Sequence, residues 1–303
     1  MPVADHHQHL LSPEGAALAN RLFDLKEVPL DAAGMVASLD QAGIERALVV
    51  SNAYYFDATE SRDIPGSEAS VRRENDWMAA QAARFPRRLV AFCSVNPLMA
   101  YALSELDRCA ARPEFRGLKL HLGASGIDLL NGSHVAQVQQ VLRRAAAHKL
   151  PVIIHAAPRG RAPYGEQHAR VFIEQLLPHA RTVPVVMAHL WGGGRYAPEA
   201  LKVYAQAAAT GGPATRNLYF EVAQAASAGI PEEAMPEIAA RMREIGFDRI
   251  FYGSDGPQFG GLPPREAWAE FRSRVPLSPQ ELARLASNVA PFLKKAPRRR
   301  RAA

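Results

Sequence analysis

Short apolar runs recur eight times along the chain, and longer stretches with apolar residues three and four apart lie between them. The runs fall at 2–10, 46–52, 88–97, 115–122, 150–157, 183–192, 217–223 and 249–257. Each is rich in Val, Ile, Leu, Phe or Tyr and ends near Gly, Pro or Asn, as strands buried on both faces of a parallel sheet do. The stretches between them read as helices. "LDAAGMVASLDQAGI" closes on Gly43, placed just past a helix end. "SEASVRRENDWMAAQAARF" offers Ser67 as an N-cap and stops before Pro86. Stretches at 103–113, 133–149, 166–178, 197–210 and 231–246 repeat the pattern, and 263–274 and 278–295 follow the last run. Strand–helix alternation of this kind predicts an α/β fold, a (β/α)8 TIM barrel. A doubly wound open sheet would use the same elements, but no G-x-G-x-x-G or P-loop turn follows any run. Nothing in the 303 residues has the composition of a linker. One barrel over residues 1–293 is expected, followed by a basic, disordered tail at 294–303.

Alternation along a strand assigns faces. In the first run Asp5, His7 and His9 share one face, with His6 and Gln8 on the other, so His6 is expected among the helices. Ile153 and His155 point together in the fifth run, as do Val185, Met187 and His189 in the sixth and Phe251, Gly253 and Asp255 in the eighth. His7, His9, His155, His189 and Asp255 thus converge from four strands on the C-terminal rim, where barrel enzymes hold their active sites. Gathering four imidazoles and a carboxylate is unfavourable unless they are paired or bind a metal. Neutral imidazole nitrogen and carboxylate oxygen suit zinc or a similar divalent ion.

Bulk properties narrow the partners. The net charge of +6 comes from Lys294, Lys295 and Arg298 to Arg301, which account for the whole excess of 36 basic over 30 acidic residues. The body is neutral, which argues against a nucleic-acid partner. No apolar run approaches the ~20 residues of a membrane span. No signal peptide precedes Pro2, and the two cysteines, Cys93 and Cys109, make no disulfide framework. A cytoplasmic protein is expected, or a periplasmic one if a leader has been removed. A small-molecule substrate is expected, with a homo-oligomer possible.

The ordered set His7-x-His9, His155, His189 and Asp255 resembles the amidohydrolase superfamily. The phrases "GLKLH", "PVIIHA", "VVMAHLWGG", "YGSDGP" and "SPQELARLASNVAPFL" resemble its branch that includes aminocarboxymuconate-semialdehyde decarboxylase. The resemblance spans residues 3 to 293. It implies one divalent metal ion, zinc first, held by His7, His9 and His155 with Asp255 at or beside it. Asp255 would accept the proton of a metal-activated water and deliver it to the leaving group. His189 would hydrogen-bond that water, stabilise an oxyanion or ligate a second metal. Lys119, inward-facing in "GLKLHL", would bridge two metals once carboxylated, or pair with Asp5 or a substrate carboxylate. Asp5 is expected either to orient a ligand imidazole or to act as a buried loop partner. His121 is expected to orient substrate or Lys119, and Glu221 to reach the rim or form a structural pair.

The loops after the strands supply the remaining candidates. "AYYFDATESRDIPGSEAS" reads as a pocket wall or lid led by Tyr54, "AAPRGRAPYG" brings Arg159 and Arg161, and "LWGGGRY" brings Trp191 and Arg195. Arginine forks suit a carboxylate-bearing substrate. The expected function is metal-dependent hydrolysis of a small ester, lactone or amide, with a carboxylate or an aromatic ring. The alternative is a non-hydrolytic decarboxylase, a carbon–carbon lyase using the same site.

Overall fold

The computed structural model describes residues 1–58, 67–160, 162–258 and 260–294. Residues 59–66 of the expected lid, Arg161 and the tail from Lys295 onward therefore lie outside the described residues. Eight strands follow one another: β1 (Ala4–His9), β2 (Arg46–Val50), β3 (Leu89–Ser94), β4 (Phe115–His121), β5 (Val152–His155), β6 (Val185–Met187), β7 (Leu218–Glu221) and β8 (Ile250–Phe251). Each pairs in parallel with the next, in the order β1 to β8. Backbone hydrogen bonds from His6 N–H to Tyr252 C=O and from Asp255 N–H to His7 C=O, both 2.8 Å, close the ring. The fold is a (β/α)8 barrel, as the alternation predicts.

Two apolar layers hold it. The outward residues, among them Ala47, Val49, Leu118, Leu120, Ile154 and Met187, pack under the helices. The helix Ala32–Ala42 presents Met35, Val36 and Leu39 to this layer and ends at Gly43, whose φ of 67° is the left-handed value expected of a residue past a helix end. Leu48, Val50, Phe92, Ile153, Val186 and Phe251 fill the lumen. Gly117 of β4 is required here, because a Cβ at that position would lie 2.3 Å from the Phe92 ring. The short helix Pro291–Lys294 seals the N-terminal end: Phe292 packs on Phe92 and Phe251, and Arg46 donates to the Leu293 carbonyl at 2.6 Å. A helix at Pro13–Phe23, capped by Ser12, was not among the sequence expectations. No helix among the described residues is long and apolar enough to cross a membrane.

Simple alternation fails in two strands, and both failures shape the site. In β1 the register slips between Asp5 and Gln8. Asp5 pairs with Ala47 and Gln8 with Val49, both from the outer layer, whereas His9 pairs with Val50 from the lumen. The bulge leaves His6 inward as well as His7. His6 is therefore not among the helices: it stacks on Phe251 with centroids 4.7 Å apart, beneath the site. In β6, Val185 and Met187 belong to the outer layer. His189 reaches the rim because the strand ends at Met187 and the chain turns through His189 and Leu190, with φ of 56° and 61°.

Candidate active site

The C-terminal rim holds a cavity of about 200 Å3, with His7, His9, His189, Lys119 and Asp255 among its walls. Asp255 follows β8 at a φ of 54°. Its Oδ1 lies 3.1 Å from His9 Nε2 and 3.5 Å from His7 Nε2, and its Oδ2 lies 3.9 Å from His189 Nε2. Burial would raise the Asp255 carboxyl, but His7, His9 and His189 outweigh it and hold it well below the usual carboxylate range. Asp255 is an anion framed by three imidazoles.

Ring tautomers follow from the hydrogen bonds behind them. His7 Nδ1 donates to Glu221 Oε1 at 2.9 Å, and His189 Nδ1 donates to the Ala223 carbonyl at 2.9 Å. Both rings are therefore left with a bare Nε2 on the Asp255 side. Burial, reinforced by the Lys119 charge, lowers His7 to about 4, so its imidazole is neutral at pH 7. Glu221 does more than the sequence suggested. Fully buried at the end of β7, its carboxylate also accepts the backbone N–H of His189 at 2.8 Å and of Ala223 at 2.6 Å. Against the cost of burial, His7 and these bonds lower its pKa to about 2. "YFEVA" was the available signal: an acid amid apolar strand residues must find buried donors.

Lys119, also buried, donates to His7 Nε2 at 3.1 Å. Burial lowers its ammonium to about 8, so it is mostly charged at pH 7. His155 stands slightly apart. Its ring stacks on His121 at 3.9 Å, and Gly193 comes so close that a Cβ there would lie 2.1 Å from His155 Nε2. Tyr54 tilts against His121 at 4.9 Å. Trp191 is buried in the wall, its indole N–H meeting no acceptor among the described residues.

Ligand atoms of His7, His9 and Asp255 lie within 4.8 Å of one another, and so do those of His7, His189 and Glu221. The second set is occupied, since three N–H groups already use the Glu221 oxygens. The first set joins the neutral imidazole of His7 and the ring of His9 to the ionised Asp255 carboxylate on the cavity wall, which fits a divalent ion.

A profile of the amidohydrolase family matches residues 4–290. The chain belongs to the amidohydrolase family. No curated protein matches this amidohydrolase by sequence. Among solved structures it is similar to 2,6-dihydroxybenzoate decarboxylase from Rhizobium, at 17% identity and a TM-score of 0.64, over 95% of this chain and 96% of that one. It is similar to 5-carboxyvanillate decarboxylase from Novosphingobium aromaticivorans, with bound manganese and 3-methoxy-4-hydroxy-5-nitrobenzoic acid, at 14% identity and a TM-score of 0.63, over 95% of each chain. A probable 2-pyrone-4,6-dicarboxylic acid hydrolase from Acinetobacter baumannii, with citric acid bound, aligns at 16% identity and a TM-score of 0.60, over 94% of this chain and 99% of that one. At these identities the likeness is one of fold.

The amidohydrolase thus gathers His7, His9, His189, Asp255, Lys119, His121, His155, Tyr54 and Trp191 around one cavity. Three expected residues lie elsewhere. Arg159 is half-buried and does not itself line the cavity, but its guanidinium lies 5.6 Å over the ring of Tyr55, which does. Arg195 is exposed, because Gly192, Gly193 and Gly194, with φ of 103°, 90° and 67°, turn the chain ahead of it. Asp5 touches neither an imidazole nor Lys119. The β1 bulge sets it on the outer side, where it accepts from backbone and from Ser254 and Gln8, and burial raises it to about 6.

Proposed function

We propose that this amidohydrolase is a metal-dependent hydrolase of a small ester, lactone or amide that carries a carboxylate or an aromatic ring. The observation that carries the reading is the anionic Asp255 among the Nε2 atoms of His7, His9 and His189 on the wall of a small cavity. His7, His9, His155 and Asp255 would hold one divalent ion, with zinc best suited to that donor set. Such an ion supplies Lewis acidity, lowering the pKa of a water and polarising a carbonyl.

The protein's own groups do the rest. Asp255 takes the proton of the attacking water and returns it to the leaving oxygen or nitrogen. His189, with Nδ1–H committed to Ala223, offers Nε2 as an acceptor and orients that water, a role its tautomer favours over oxyanion binding. Lys119, whose Nζ would give up His7 Nε2 once that atom holds the ion, is the cationic donor for the substrate's negative charge. Trp191 offers its unused indole N–H, and Tyr54 and His121 form an aromatic wall. A cavity of about 200 Å3 falls below the ~300–1,000 Å3 of drug-sized sites, so the substrate is small.

Decarboxylation is the second reading, supported by the named decarboxylases among the similar structures. There Asp255, an anion at rest, would first take a proton from water and then deliver it to the carbon that loses carbon dioxide. Turnover of lactones, esters, amides and aromatic carboxylates in 18O water and, in parallel, in D2O tests both. Label in the product acid without carbon dioxide supports hydrolysis, and carbon dioxide with solvent deuterium on carbon supports the lyase. Turnover that survives both chelation and Asp255→Asn would sink the metal-site reading.

A further inference from the structure

The barrel closes between β8 and β1, and both sides of that seam carry site residues: His7 and His9 on one, Asp255 on the other. The bulge in β1 is a slip in its register with β2, on the strand that also borders the seam. Across the seam run two backbone hydrogen bonds, His6 N–H to Tyr252 C=O and Asp255 N–H to His7 C=O, and one buried carboxylate stands beside them. Asp5 Oδ1 accepts the backbone N–H of His7 and of Ser254, both at 3.1 Å. Asp5 Oδ2 accepts the Ser254 hydroxyl at 2.6 Å and the Gln8 amide at 2.8 Å. All four acceptor positions of the carboxylate are used, and it is fully buried.

We infer that Asp5 is a positioning residue: by tying the His7 and Ser254 backbones together it sets the separation of His7 and His9 from Asp255. It acts through the main chain on the residues that the proposed function places at the metal, and the inference rests on that reading of the site. The alternative is a plain structural role, in which Asp5 holds the seam and the site tolerates its loss. Chemistry distinguishes the variants. Asparagine keeps Oδ1 for the two backbone N–H groups. Its amide can donate to Ser254 Oγ and, once the Gln8 amide turns over, to Gln8 Oε1, which has no partner among the described residues. Alanine leaves both backbone N–H groups unmet, and Ser254→Ala removes only the hydroxyl.

Three readouts test this in the full-length protein: the Kd for Co2+, the visible absorption of the Co2+ form, and the ring resonances of His9 in metal-free protein. The expected result is Co2+ binding weakened about 10–100-fold in Asp5→Ala and less in Ser254→Ala. The visible band and the His9 resonances move in both, and Asp5→Asn returns all three readouts towards wild type. The inference is overturned if the alanine variants lower only thermal stability, with all readouts at wild-type values, or if Asp5→Asn is as damaging as Asp5→Ala. Should Asp5→Ala not fold, Ser254→Ala against Asp5→Asn decides in the same terms. A wild-type protein that binds no Co2+ would refute the metal reading, and the His9 resonances would still decide the positioning.

Discussion

Glu221→Gln tests the carboxylate behind the site with the smallest change of shape. Glu221 Oε1 takes two donors, His7 Nδ1–H and His189 N–H, and Oε2 takes one, Ala223 N–H. The glutamine amide will turn its oxygen to the pair and its NH2 to Ala223, where two donors then face each other in a buried setting. Leaving such a group unmet costs about 1–3 kcal/mol, and the opposite orientation would cost roughly twice that. At roughly 2–4 °C per kcal/mol for a large domain, the melting temperature should fall by several degrees. The variant should also lose metal affinity about 10–100-fold, because His7 loses a charged partner for its Nδ1–H. Differential scanning calorimetry and competition with a chelating dye measure the two effects. An unchanged melting temperature together with an unchanged affinity would refute the argument, since it would mean that His7 and His189 are held in place without this carboxylate.

Three further substitutions probe other parts of the molecule. Asp255→Asn should leave the fold intact and lower kcat by about 10²–10⁴-fold, and a loss of less than tenfold would remove it as the proton carrier. Gly193→Ala forces a left-handed φ of 90° on a residue with a Cβ, at about 1–2 kcal/mol, and drives that Cβ against His155. If the strain is relieved by moving His155, turnover falls roughly five- to thirtyfold, and full activity would show that His155 can shift without consequence. Glu74, buried beside Ser12, is raised by that burial from the usual 4.5 to about 7. A carboxyl raised on folding favours the native state below its unfolded pKa, and that contribution disappears as pH rises from about 4.5 through 7. Glu74→Gln escapes the loss, so its melting temperature should gain on wild type across this window by the equivalent of up to about 3 kcal/mol. A difference that stays flat between pH 5 and 8 would show that Glu74 does not titrate there.

Much of this architecture is legible in the chain because parallel strands buried on both faces leave continuous apolar runs, and all eight strands fall inside the runs that periodicity marks. His7, His9, His155 and Asp255 were placed by the same rule. The rule stops where the backbone leaves regular geometry. The β1 bulge moves Asp5 outward and His6 inward, and no local residue choice announces it. His189 enters the site through two left-handed residues that two-residue alternation cannot represent. Glu221 was seen but not weighted, because its importance lies in three donors contributed by β1, the turn after β6 and its own strand end, a convergence that exists only in three dimensions. Arg195 shows the opposite error: proximity in sequence to Trp191 says nothing once three glycines intervene.

The stopper of Phe292, Phe92 and Phe251, with His6 above Phe251, leaves the barrel one mouth among the described residues. Whatever enters must leave by the same door. Product cannot drain through the floor while the next substrate arrives from above, so the two exclude each other by occupancy alone. Product should therefore behave as a simple competitor of substrate.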